Sequence, residues 1–273
     1  MRAQGLADSR TLTRQSKKRA RELLDTGHNR LWLIFSICLW ILSAGAIYLL
    51  CAGLVYAADD SIFTDQPSML AMGLTMLAYG LMLLLALILL VPMAGGTVLL
   101  ARHVYEGRAL ETADLFVAFD SPGRYFRCML IGVYGLAHPL LTVAIALLGC
   151  VAVPTVLYDA MMESGAISVL SGLASAGAFL IGVALVLLML FTCRTAHLTC
   201  ALMARDLTWR EARKRTREIL AKHRRTWLGY RLGFAGHLAL AVATVGVSAV
   251  IDGIPHMLLC HQYACDFTNT QEK

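Results

Sequence analysis

The sequence predicts an all-α polytopic transmembrane helix bundle of about five spans, a sixth segment being left open, with amphipathic helices on its cytoplasmic side. Three observations carry that expectation. Residues 31–58, 69–100, 128–153 and 165–193 contain no charged side chain, and a fifth stretch from Trp227 carries only Arg231 before Asp252. Each exceeds the roughly 20 residues that cross a 30 Å hydrocarbon core at about 1.5 Å per residue. Composition agrees, because 58% hydrophobic and 15% charged residues are too apolar a mixture for a soluble domain of 273 residues. Finally, Lys and Arg alternate between successive polar segments as the positive-inside rule requires. The chain divides into a basic cytoplasmic tail (1–30), a bundle (31–254, spans near 31–58, 69–94, 128–153, 165–193 and 227–254) and a C-terminal tail (255–273).

The N-terminal tail holds Arg2, Arg10, Arg14, Lys17, Lys18, Arg19, Arg21 and Arg30, whereas the loop after the first span holds Asp59, Asp60 and Asp65. The tail is therefore expected inside, and its bases before Leu23 and Leu24 look like an interfacial helix. The first apolar run follows thirty polar residues and is 28 residues long, so it reads as a retained span rather than a signal peptide. The second run is longer than a bilayer needs and must tilt, break or continue into the cytoplasm. Pro92 with Gly95 and Gly96 marks the break, since proline removes a backbone donor and glycine weakens a helix. Such a break is either a discontinuous transporter helix or a kink into an interfacial helix. The kink is favoured, because transporter repeats usually show a pair of breaks. Between Leu110 and Phe119, Leu115, Phe116 and Phe119 share a face beside Glu111 and Asp114, which suits a helix lying on the inner leaflet or docked beneath the bundle.

Between Arg194 and Arg225 ten Lys or Arg face three acids, so this segment is expected inside as well. Thr208 and Glu211 have capping-box spacing, which starts a helix there. Its rim of Arg210, Arg213, Lys214, Arg217, Arg224 and Arg225, with Trp209, Ile219, Leu220 and Trp227 as apolar anchors, fits anionic headgroups or a partner. Fixing topology alone is the plainer role. Nucleic acid is a poor fit, because the helix is tied to the bilayer at both ends and lacks interleaved aromatics. In the fifth span Gly236, Ala239, Ala243 and Gly246 form a small-residue stripe for helix packing, within the monomer or against a partner. Five spans leave the C-terminus outside, where Cys260 and Cys265 in CHQYAC have the option of a disulfide, the rival being a re-entrant tail with free thiols.

Candidate chemistry is sparse. His138 and His237 lie at similar depths in the third and fifth spans, a placement that allows axial haem ligation or a proton relay. A neutral histidine bonded to a nearby carbonyl is the commoner arrangement. Cys193, His197 and Cys200 share a helix face, but no fourth ligand is visible, and no metal site is assigned. There is no GxSxG, HExxH or GxxxxGK, and the span interiors lack Asp and Glu. The chain is therefore expected not to be an enzyme.

Residues 95–119, GGTVLLARHVYEGRALETADLFVAF, join a glycine-marked span end to the turn Glu106-Gly107-Arg108 and then to Asp114, Leu115, Phe116 and Phe119. This resembles uncharacterised bacterial polytopic membrane proteins related to the membrane region of glycerophosphodiester phosphodiesterases. The resemblance implies a six-span layout and an anchoring or accessory role, and it carries no catalytic residues. The chain departs from it in having five apparent spans and the CHQYAC tail.

The expected function is a non-enzymatic scaffold or accessory subunit of the bacterial cytoplasmic membrane. It would be multi-pass with its N-terminus inside, bind membrane lipids, and associate with a membrane protein partner or as a homo-oligomer. The competing readings are a small transporter or lipid-handling protein, and a haem-binding electron carrier.

Overall fold

The computed structural model describes residues 2–58, 69–136, 196–222, 224–234, 236–237, 240, 244 and 247–270, and among them all regular structure is helical. The third stretch is described only to residue 136. The fourth stretch, His138, Cys193, Ala239, Ala243 and Gly246 lie outside the described residues.

Helix α1 (Arg2–Asp25) turns through Gly27, whose φ of 58° suits glycine, into α2 (Asn29–Ala58). Helix α3 (Met69–Leu85) continues through a π segment, Ala86–Leu90, into α4 (Val91–Glu106). Two runs, Asn29–Tyr56 and Met72–Glu106, are long and apolar enough to cross a membrane. Their outer parts project from the rest of the molecule, with Leu42, Leu49, Met76 and Leu83 each 69–74% exposed. A continuous apolar surface of this kind is stable against hydrocarbon rather than water.

The expected break at Pro92–Gly96 is absent, and the helix instead runs on. The π segment widens one turn, and Pro92 sits at the start of α4. The carbonyl that proline leaves without its α-helical donor is that of Ile88. The Tyr125 hydroxyl donates to it at 3.1 Å, while Trp40 Nε1 donates to the Leu90 carbonyl at 2.8 Å. The glycines serve packing. A Cβ at Gly95 would lie 1.9 Å from the Cys128 carbonyl oxygen, and one at Gly132 would lie 2.0 Å from that of Val91, so α4 and α5 (residues 122–136) cross backbone to backbone. Buried Ser36 and Thr97 hydroxyls, 2.8 Å apart, join α2 to α4.

Helix α4 ends in a Schellman turn. Gly107 adopts φ 72°, its N–H reaches the Val104 carbonyl, and the Arg108 N–H reaches that of His103. The 3₁₀ helix Thr112–Phe119 follows, opened by reciprocal Glu111–Asp114 capping. It docks beneath α4 with Val117 and Ala118 buried, leaving Phe116 and Phe119 exposed. Next described are α6 (residues 196–203), α7 (Trp209–Lys222), α8 (Arg224–Leu232), a π segment Ala249–Gly253 and α9 (Ile254–Thr270).

The core lies at one end of the two long apolar helices. Leu12, Leu24, Leu33, Leu100, Ile131, Leu202, Ile219, Trp227, Tyr230 and Leu259, from eight helices, belong to one cluster and are almost fully buried. Burying a large apolar side chain is worth about 1.5–3 kcal/mol. These helices thus form a folded body from which the apolar runs emerge.

Two expectations need correction. First, residues 227–254 do not cross as one helix. Tyr230 and His261 rings are 5.9 Å apart, Phe234 and His256 6.5 Å, and His237 and His256 5.4 Å, so residues 230–237 lie beside residues 256–261 and the stretch is not one straight helix. Eighteen residues separate His237 from His256. Second, residues 255–270 do not form a separate tail, because α9 packs along α1 and Tyr263 Oη donates to Gln15 Oε1 at 3.2 Å. Cys260 and Cys265 are buried, five residues apart on one helix, where their Cα atoms are too distant for a disulfide between them.

Candidate functional site

Three groups of polar residues converge on the body. The first is the basic rim. Thr208 and Glu211 cap α7 reciprocally: the Thr208 N–H donates to Glu211 Oε2 at 3.0 Å and the Glu211 N–H to Thr208 Oγ1 at 3.4 Å. The Thr208 hydroxyl and amide hydrogen bonds hold the Glu211 carboxyl below the usual carboxylate range. Ala212, Thr216, Ile219 and Leu220 face inward, and Thr216 meets Thr199 of α6 at 3.0 Å between hydroxyl oxygens. Arg210, Arg213, Lys214 and Arg217 are exposed, with the Arg213 guanidinium 5.3 Å over the Trp209 ring. Arg224 and Arg225 belong to α8, and their side chains lie outside the described set.

Three of the residues expected to anchor this rim in lipid, Ile219, Leu220 and Trp227, are buried in protein, and Trp209 alone of the four is exposed. Helix α1 repeats the pattern. Leu12, Ser16, Ala20, Leu23 and Leu24, at helical spacing, are buried, which leaves Arg10, Arg14, Lys18, Arg19 and Arg21 outward. Each helix spends its apolar face on its neighbours and keeps its cations for the surroundings.

The second group is a seam of imidazoles and aromatic rings along the returning arms. His197 of α6 lies 5.3 Å from His261, the Phe234 ring stacks on His261 at 6.3 Å, and His237 stacks on His256 at an interplanar angle of 13°. His261 Nδ1 is 2.6 Å from the Met257 carbonyl oxygen. Lys17 donates to the Gly233 carbonyl at 2.6 Å and lies 5.1 Å over the Phe234 ring, so α1 closes the seam. His256 is buried, and its Nε2 has no hydrogen-bond partner among the described residues. The expected pairing of His138 with His237 lies partly outside the described residues. His237 instead faces His256 ring on ring, an arrangement that turns π faces rather than lone pairs toward one another. Among the described residues no three His, Cys, Asp or Glu side chains form a group able to hold a metal ion. The Cys200 thiol donates to the Ile131 carbonyl at 3.5 Å, and Cys193 of the expected face lies outside the described residues.

The third group is a latch absent from the sequence reading. Arg205, just after α6, bonds Gln262 and the Asp266 carboxylate on α9, and its guanidinium lies 5.8 Å from the Tyr105 ring centroid. Burial alone would raise the Asp266 pKa, but hydrogen bonds from Arg205 and Tyr105 and the charges of Arg205 and Arg102 hold its carboxyl below the usual range. Burial also pushes the Cys260 and Cys265 thiols up to about 12, so both stay protonated. His256 and the latch lacked any local signal: Arg205 and Asp266 are 61 residues apart, and only a fold joins them. Of the packing stripe in the fifth stretch only Gly236 is described, and among the described residues a Cβ there would meet nothing within 4 Å.

No family model, curated protein or solved structure matches the chain.

Proposed function

We propose that this chain is a non-enzymatic membrane scaffold: a cytoplasmic helical platform held at the inner leaflet by its apolar helices, binding anionic lipid through its cationic rim and a membrane protein partner or second copy through its span faces. The observation that carries this reading is the double use of α1 and α7. Their apolar faces are consumed within the body while their arginines and lysines remain exposed, as an electrostatic platform requires and an inserting amphipathic helix does not. The orientation accords with it. If residues 227–254 return, the four charge-free stretches make an even number of crossings. Both termini and both basic segments then lie on one side, the side where their helices share a core.

The transporter reading draws on the Pro92–Gly96 break and on paired histidine depths. Tyr125 occupies the Ile88 carbonyl and backbone fills the space at Gly95, so the site offers a substrate no freed group there. The scaffold reading is tested by reversing Arg210, Arg213, Lys214 and Arg217 to Glu. Each base near the headgroups is worth on the order of 1 kcal/mol. In nanodiscs of mixed anionic and zwitterionic phospholipid, the wild type should enrich the anionic species in a salt-sensitive way and the variant should not. Equal enrichment by both overturns the rim's role.

A further inference from the structure

An open groove of about 510 Å³ sits at the elbow between α1 and α2, bounded on its other side by the linker leaving α4. Its two ends differ chemically. Leu31 and Phe35, 47% and 55% exposed, line one end with Trp32, whereas His28, Asn29 and Arg108 line the other. We propose that this groove holds one anionic diacyl phospholipid, its phosphate toward Arg108 and the first turn of α2, and its acyl chains along Leu31 and Phe35. The inference rests on the membrane reading above and adds a discrete site to the diffuse rim.

Charge favours that occupant. The Glu106 carboxylate is shared by Arg102 and Arg108, the latter at 2.9 Å, so the trio keeps one positive charge in excess. Arg30 is engaged by Asp25 at 2.8 Å, which leaves the elbow neutral there. The first turn of α2 contains no acidic residue, so its amide hydrogens and the positive end of its dipole add to the attraction for phosphate. A zwitterionic headgroup would need a free carboxylate for its cation, and Glu106 is already held by two arginines. The apolar end argues for a lipid over a soluble phosphate, because Leu31, Trp32 and Phe35 begin the very helix whose outer half is lipid-compatible. The Schellman turn at Gly107 fixes where Arg108 leaves α4.

The test is native mass spectrometry of the full chain released from nanodiscs containing equal anionic and zwitterionic phospholipids of distinct mass. The wild type should retain one anionic phospholipid through collisional activation. Arg108→Ala, at a side chain 62% exposed, should lower that retention about fivefold, the effect of one base at the headgroup. Phe35→Ala should lower it too, and Arg108→Lys should keep most of it. Millimolar inorganic phosphate should leave the lipid in place, and displacement by phosphate would assign the groove to a soluble anion and overturn the proposal. Loss of the lipid in the four-residue rim variant but not in Arg108→Ala would sink the groove while leaving the rim intact. Absence of anionic enrichment in every form would overturn both.

Discussion

At Gly95 and Gly132 a single methyl group would overlap a backbone carbonyl of the opposing helix, and backbone cannot move aside as a flexible side chain can. Gly95→Ala should therefore destabilise the protein by about 1–3 kcal/mol or more, the usual cost of overpacking. Gly80→Ala, where a Cβ meets nothing within 4 Å, should be neutral or slightly stabilising through helix propensity. Thermal unfolding in detergent compares the two, and equal melting temperatures would refute the close crossing. This scale was the least legible in the sequence. Gly95 and Gly96 stood out, but a glycine that lets backbones touch and one that loosens a helix look identical until the opposing helix is known. His256 and Arg205 carried no signal at all, since burial and a partner 61 residues away are properties of the fold.

Among elements, the run from α3 through the π segment to α4 shows how proline is accommodated where water cannot help. The Tyr125 hydroxyl serves the Ile88 carbonyl that Pro92 leaves open, and a typical hydrogen bond of this kind is worth about 0.5–1.5 kcal/mol. Tyr125→Phe should cost roughly that amount in the wild type and much less in a Pro92→Ala background, which restores the helical donor. A double-mutant cycle by chemical denaturation measures the coupling, and additive effects would show that the carbonyl does not depend on Tyr125. Elements were better forecast than residues. The Thr208–Glu211 spacing marked the start of α7, because a capping box is a local device whose atoms lie within four residues. What α1 and α7 pack against was not legible, for the stripe Leu12, Ser16, Ala20, Leu23 and Leu24 would serve a lipid surface or a protein groove equally well.

For the molecule as a whole, hydropathy located the two long apolar helices, Asn29–Tyr56 and Met72–Glu106, but it measures length and not direction, so it carried no sign of a turn within the fifth stretch. The stacked His237 and His256 rings reveal the return. The expectation that follows is that both termini share a side. A C-terminal green fluorescent protein fusion should fluoresce and an alkaline phosphatase fusion should stay inactive, whereas active phosphatase would restore five crossings. The return also brings the last helix to the first, since α9 packs along α1 and Tyr263 reaches Gln15. That contact has a consequence for biosynthesis. At roughly 5–20 residues per second on the ribosome, α1 emerges at once and then waits tens of seconds for the segments that cover Leu12, Leu23 and Leu24. Throughout that interval the nascent chain exposes an apolar stripe, and a product cut short before Arg224 lacks both helices, α8 and α9, that pack on it. Burial of that stripe thus depends on segments synthesised some two hundred residues after it, and until they arrive the stripe is a handle for proteases that act on exposed apolar surface.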